Sequence, residues 1–100
     1  MPFLVDAIDR PGAAELRNKL RPDHLGYIGS RVRLVLAAGA KLDNDGVTVI
    51  GSFFILDVGE RDQAQGFADN DPYTLGGLFE KVTITEWRKT FFNHESCPPG

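Results

Sequence analysis

A histidine near the start of the chain and an aspartate near its end are the residues best suited to moving a proton. His24 follows Arg21-Pro22-Asp23 and stands one helical turn before Ile28, which places it at the edge of an apolar stripe at about 100° per residue. An imidazole changes charge near neutral pH, so a position between core and solvent suits general acid/base work once a polar partner fixes its tautomer. The same position also suits a satisfied structural histidine, because structural networks contain partnered groups too. Asp71 precedes Pro72. Its carboxylate could orient His24 or stabilise an imidazolium, as the acid of a catalytic triad does. An Asp-Pro pair equally describes an N-cap followed by the first helical residue, with the carboxylate accepting from the backbone of Tyr73 or Thr74.

Gly51-Ser52 interrupts a run of strand formers, and glycine inside a strand marks a bulge or the close approach of another group. Ser52 can then line a cleft, its hydroxyl serving either a ligand or a core contact. No G-x-S-x-G elbow surrounds it, so it is not expected to be a nucleophile. Arg17 and Arg21 lie near a helix start, where the dipole favours negative charge; they either attract an anion or form a solvated surface pair. Tyr27, Tyr73 and Trp87 read first as packing residues with a hydrogen-bonding tip. Ser52, Arg21 and Tyr73 are the candidate substrate-binding residues. Gly76-Gly77 is too short for a phosphate loop, and there is no nucleotide-binding fingerprint. His94 and Cys97 are spaced like two metal ligands, but a stable zinc site recruits three or four. Neither a metal nor a cofactor is expected.

The elements that must position these groups follow from periodicity. Phe3, Val5 and Ala7 alternate with Leu4, Asp6 and Ile8, giving a strand that ends at Asp9-Arg10-Pro11-Gly12. A short helix over Ala13 to Leu20 is expected, and Pro22 is read as the start of a second helix running to about Ala38 and ended by Gly39. Ala40 to Leu42 and Val47 to Val58 form a hairpin around Asp43-Asn44-Asp45-Gly46. A helix over Glu60 to Asp69 stops before Asp71-Pro72, and a last strand covers Phe79 to Trp87. Residues 1–92 are read as the domain and 93–100 as an irregular tail. Strand, helix pair, hairpin, helix, strand is the split βαβ order of an α+β, ferredoxin-like fold with helices on one face of an antiparallel sheet. The other face keeps apolar residues, as an association surface does, so a homodimer by sheet packing is expected.

Composition narrows the function classes. In 100 residues the chain is 42% hydrophobic and 25% charged, as in a packed globule. A single core this small buries only about 60 to 70% of the unfolded surface, which favours oligomers. Eleven scattered basic residues and a net charge of -3 offer no stripe for phosphates, so nucleic acid is not an expected partner. The longest apolar stretches fall short of the roughly 20 residues of a membrane span. The start Met1-Pro2-Phe3-Leu4-Val5-Asp6 does not read as a signal peptide, which makes a cytoplasmic location the expectation.

Arg21-Pro22-Asp23-His24-Leu25, Gly39, Gly51-Ser52, Phe67-Ala68, Asp71-Pro72-Tyr73, Gly77-Leu78-Phe79 and Val82 to Trp87 together form a pattern. It resembles the YCII-related (YciI-like) family over roughly Phe3 to Phe91, departing at Ala40, where the family places a proline. The resemblance implies a dimeric α+β barrel, a suspected active-site pair at His24 and Asp71, and a cleft position at Ser52. It also implies small aromatic-degradation chemistry, since the family includes a dehydrochlorinase and the wider fold a muconolactone isomerase. The expected activity is cofactor-independent lyase or isomerase chemistry on a small, anionic or phenolic molecule. The alternatives are a non-catalytic small-molecule-binding module and a structural dimerisation module.

Overall fold

The computed structural model describes residues 2–98. β1 (Pro2–Asp9), β2 (Val35–Leu42), β3 (Val49–Asp57) and β4 (Phe79–Glu86) form an antiparallel sheet in the order β2-β3-β1-β4. This is the ferredoxin-like order. The helices are α1 (Ala14–Ser30), α2 (Arg61–Asp69) and the single turn α3 (Pro72–Leu75). No helix among the described residues is long and apolar enough to cross a membrane.

Strand alternation decides which side chains the helices cover. Phe3, Val5 and Ala7 on β1 pair directly with Leu56, Phe54 and Ser52 on β3, and all six are buried. The residues between them, Leu4, Asp6, Phe53 and Ile55, lie on the opposite face and are half-buried. Phe67, Ala64 and Ala68 of α2 complete the core over Phe3, Val5, Phe54 and Leu56. A reciprocal capping box fixes the start of α2: Gln63 accepts from the Glu60 backbone and Glu60 from that of Gln63. Asp71 caps α3, accepting from the Tyr73 N–H at 2.9 Å, with Pro72 at the first helical position.

Several sequence expectations are corrected. Instead of breaking at Pro22, α1 runs through it to Ser30; a 3-10 turn at Val32–Leu34 follows, and Val35–Leu42 is strand. Proline removes one helical N–H, but the surrounding turns are held by packing of the α1 face against the sheet and α3. The run Val32 to Ala38 fits a helical stripe on paper, but from Val35 onward it extends the strand expected at Ala40 to Leu42, and pairing with β3 satisfies the backbone. Gly39 therefore ends no helix. It sits in β2 opposite Phe53, whose ring would lie 3.0 Å from an added Cβ. The tail is also not wholly irregular: β5 (Phe91–Phe92) pairs with β6 (Glu95–Ser96) through a turn at Asn93 and His94, both at positive φ. Asparagine and histidine tolerate that conformation better than most side chains do. Cys97 follows this hairpin, and residues 99 and 100 lie outside the described residues.

Candidate active site

Only two side chains of α1 are buried, and both are polar: Arg17 and His24. At 3.6 residues per turn, positions 17, 21, 24 and 28 share one helical face. That face forms one wall of a cavity of about 210 Å³, completed by Ala40, Ser52, Phe54 and Tyr73. A larger depression of about 370 Å³ lies beside the β1–α1 loop, but its lining is mostly apolar and holds neither histidine nor serine. The smaller cavity is where the titratable groups converge.

The His24 Nδ1 lies 2.8 Å from Asp71 Oδ1, the oxygen that also accepts from the Tyr73 backbone. Capping and pairing with His24 are thus performed by the same carboxylate. An ionised carboxylate only accepts, so Nδ1 carries the hydrogen and, in the neutral ring, Nε2 holds the lone pair. No protein group among the described residues hydrogen-bonds Nε2. The Tyr73 ring stacks on the imidazole with centroids 3.8 Å apart and planes 10° from parallel, and Phe54 meets it at 5.9 Å. These contacts restrict ring rotation. Asp71 is 1% exposed, and its Oδ2 is buried without a hydrogen-bond partner among the described residues. His24 is the one side-chain hydrogen-bond partner of Asp71 among them.

A second buried pair flanks the first. Arg17 donates from Nε and Nη2 to the two oxygens of Asp9 at 2.7 and 2.9 Å, and again from Nη2 to Ser52 Oγ at 2.8 Å. Its guanidinium carbon lies 4.7 Å from the centroid of the Tyr73 ring. Burial opposes the Arg17 charge, but the hydrogen bond and charge of Asp9 outweigh it and hold the guanidinium above its usual pKa. Burial also pushes the Tyr73 phenol up, against the lowering pull of Arg17 and Arg21, so it stays protonated at neutral pH.

The structure brings His24, Asp71, Ser52 and Tyr73 together, with Arg21 exposed at the cavity mouth. Arg17 is not the solvated partner of Arg21 that one sequence reading allowed; it is 8% exposed. Asp9, read only as part of a turn, is its counter-ion. The signal for Arg17 was present in its spacing, since a residue two turns before His24 shares its face. Nothing local marks Asp9, whose role depends on strand β1 ending beside the helix.

The model of the YCII-related domain matches residues 1–88. Protein YciI of Escherichia coli O6:H1 is 28% identical over 102 residues, covering 91% of this chain and all of that protein, and Protein YciI of Shigella flexneri matches to the same extent. Among solved structures, the 5-chloro-2-hydroxyhydroquinone dehydrochlorinase TftG of Burkholderia phenoliruptrix AC1100, in complex with 2,5-dihydroxybenzoquinone, is similar at a TM-score of 0.80. It is 29% identical, and the match covers 88% of this chain and 94% of that one.

Proposed function

The chain belongs to the YCII-related domain family, and on that premise we propose that it is a cofactor-independent enzyme of the lyase or isomerase type with His24 as its acid/base group. The observation that carries this reading is the buried pair of His24 and Asp71 on the wall of a cavity of about 210 Å³. A dry cavity of roughly 150 Å³ accommodates benzene, so the space admits one substituted ring. Nε2 takes a proton from the substrate, and the adjacent carboxylate stabilises the imidazolium that forms. Ser52, Arg21 and Tyr73 bind and orient the substrate. Loss of HCl from a chlorinated, hydroxylated ring suits these parts. A hydroxyl proton moves to the chlorine-bearing carbon and makes it tetrahedral, and the base then removes a second hydroxyl proton. That oxygen's electron pair forms a carbonyl and shifts the ring π bond toward the tetrahedral carbon, and chloride leaves with the C–Cl pair. No electrons pass to a cofactor.

The test is chloride release from 5-chloro-2-hydroxyhydroquinone, the compound named for the Burkholderia enzyme. Turnover is expected, with a loss of about a hundredfold or more in His24→Ala. Full activity in that variant would make the mechanism wrong. Ligand binding without turnover, between about pH 5 and 9, would make the chain a binding module instead.

The same reading includes a homodimer through the uncovered sheet face, supported by the shallow apolar depression that Leu4, Ile55 and Trp87 form there. Sedimentation equilibrium distinguishes monomer from dimer directly.

A further inference from the structure

Arg17 presents an unusual combination: a charged group more than nine-tenths buried, lining a cavity, with hydrogen-bonding capacity left over. Asp9 occupies Nε and one side of Nη2, and Ser52 the other; Nη1 has no acceptor in hydrogen-bond geometry among the described residues, although the Tyr73 phenol lies near enough to support the Arg17 charge. Ser52 is in a complementary state. Its oxygen already accepts from Arg17, so its own hydrogen remains to be donated, and no described protein group receives it. Both residues line the cavity that His24 lines.

We propose that Arg17 Nη1 and the Ser52 hydroxyl form an oxyanion hole that selects a planar substrate carrying a phenolate or enolate oxygen, and that Asp9 is the positioning residue that aims Arg17 at it. The inference deepens the acid/base reading, on which it rests, by naming the charge form the site takes. The anion's place is prepared before binding, because the guanidinium is already desolvated and clamped through two hydrogen bonds to one carboxylate. Arg21 adds a second cation at the mouth, with no ion pair among the described residues. Phe54, Tyr73, Leu25 and Ile28 supply the apolar walls for a ring.

The probe is 4-nitrophenol, whose absorbance reports whether it is phenol or phenolate, against its neutral methyl ether 4-nitroanisole. The folded wild-type protein is expected to bind 4-nitrophenol as the phenolate at mildly acidic pH, where the free probe is mainly the phenol, and to bind the ether at least tenfold more weakly, the scale of one hydrogen bond to a charged group. Arg17→Met loses the phenolate spectrum, whereas Arg17→Lys, which keeps the charge without the fork, retains part of it. Asp9→Asn keeps the cation but weakens phenolate binding several-fold, an effect that a purely structural Asp9 would not have in protein that is still folded. If Arg17→Met does not fold, Ser52→Ala reads the same hole. His24→Ala retains the phenolate spectrum, which separates failure of the hole from failure of the proton-transfer reading. Wild-type protein that binds both probes equally, or binds neither at millimolar concentration, overturns the proposal, as does an unchanged spectrum in Arg17→Lys and Ser52→Ala.

Discussion

Two ion pairs start three residues apart on β1 and face opposite sides of the sheet. Asp9 meets Arg17 at 2.7 Å under α1, with side chains 7% and 10% exposed, and Asp6 meets Lys41 at 2.6 Å on the uncovered face, with side chains 47% and 27% exposed. Their lengths are nearly equal, yet their energetics are not. The outer pair remains in contact with water, so screening and side-chain entropy cancel most of its attraction. The inner pair has surrendered hydration on both partners, so each depends on the other being present. Distance alone therefore says little about an ion pair. The environment set by strand parity decides whether it is a surface ornament or a held charge.

Removing one inner partner breaks the contrast most severely. Arg17→Met leaves Asp9 buried and uncompensated and is expected to cost about 3 to 5 kcal/mol in urea unfolding. A loss under about 1 kcal/mol would place the inner pair in the same class as the outer one. Asp71→Ala is expected to fall just below that, at about 3 kcal/mol, because it removes a helix cap and strips His24 of its partner. Chemical denaturation measures the loss, and nitrogen NMR of the imidazole should show His24 without its fixed tautomer. Gly51→Ala tests the uncovered face through packing rather than charge: its Cβ would run into the Ala7 carbonyl and lie 3.3 Å from Lys41 Cε. About 1 to 3 kcal/mol is expected, as for other overpacked sites, and an unchanged Tm would mean that the β1–β3 register yields freely. Lys41→Ala, by contrast, should cost less than about 1 kcal/mol and should not alter any binding or turnover.

The smallest effect is electrostatic and confined to the β2–β3 turn. The Thr48 hydroxyl, then the Thr48 and Val47 N–H groups, hold Asp45 below the usual carboxylate pKa. A depressed folded-state value gives stability that is present above the unfolded pKa and lost as pH falls through the folded one. The protection factors of the Val47 and Thr48 amides, exchange being referred to the intrinsic rate at each pH, should therefore fall on acidification, and Asp45→Ala should abolish that dependence.

How much of this was legible depends on whether a group's partner is local. Asp71 could be read as a cap because its acceptor role involves Tyr73, two residues on. The strand and turn pattern gave the ferredoxin-like order even though Val32 to Ala38 was assigned to a helix, because β1, β3, α2 and β4 each carry an unambiguous period. That segment misleads because its apolar residues fit a helical spacing and its two leucines and two alanines are helix formers, so that only pairing with the free edge of β3 decides for a strand. Arg17 was visible but ambiguous, since a guanidinium two turns from His24 looks solvated until its counter-ion is found. Asp9 belongs to a different element, and its pairing exists only after the chain has folded.

Trp87 gives the uncovered face an optical identity. It is the one tryptophan of the chain, it borders the apolar depression with Leu4 and Ile55, and its indole nitrogen is buried without a partner among the described residues. Indole emission moves to shorter wavelength when water is displaced from around the ring. Fluorescence from this single native chromophore therefore reads whether that face meets solvent or another surface, without a label and at any protein concentration.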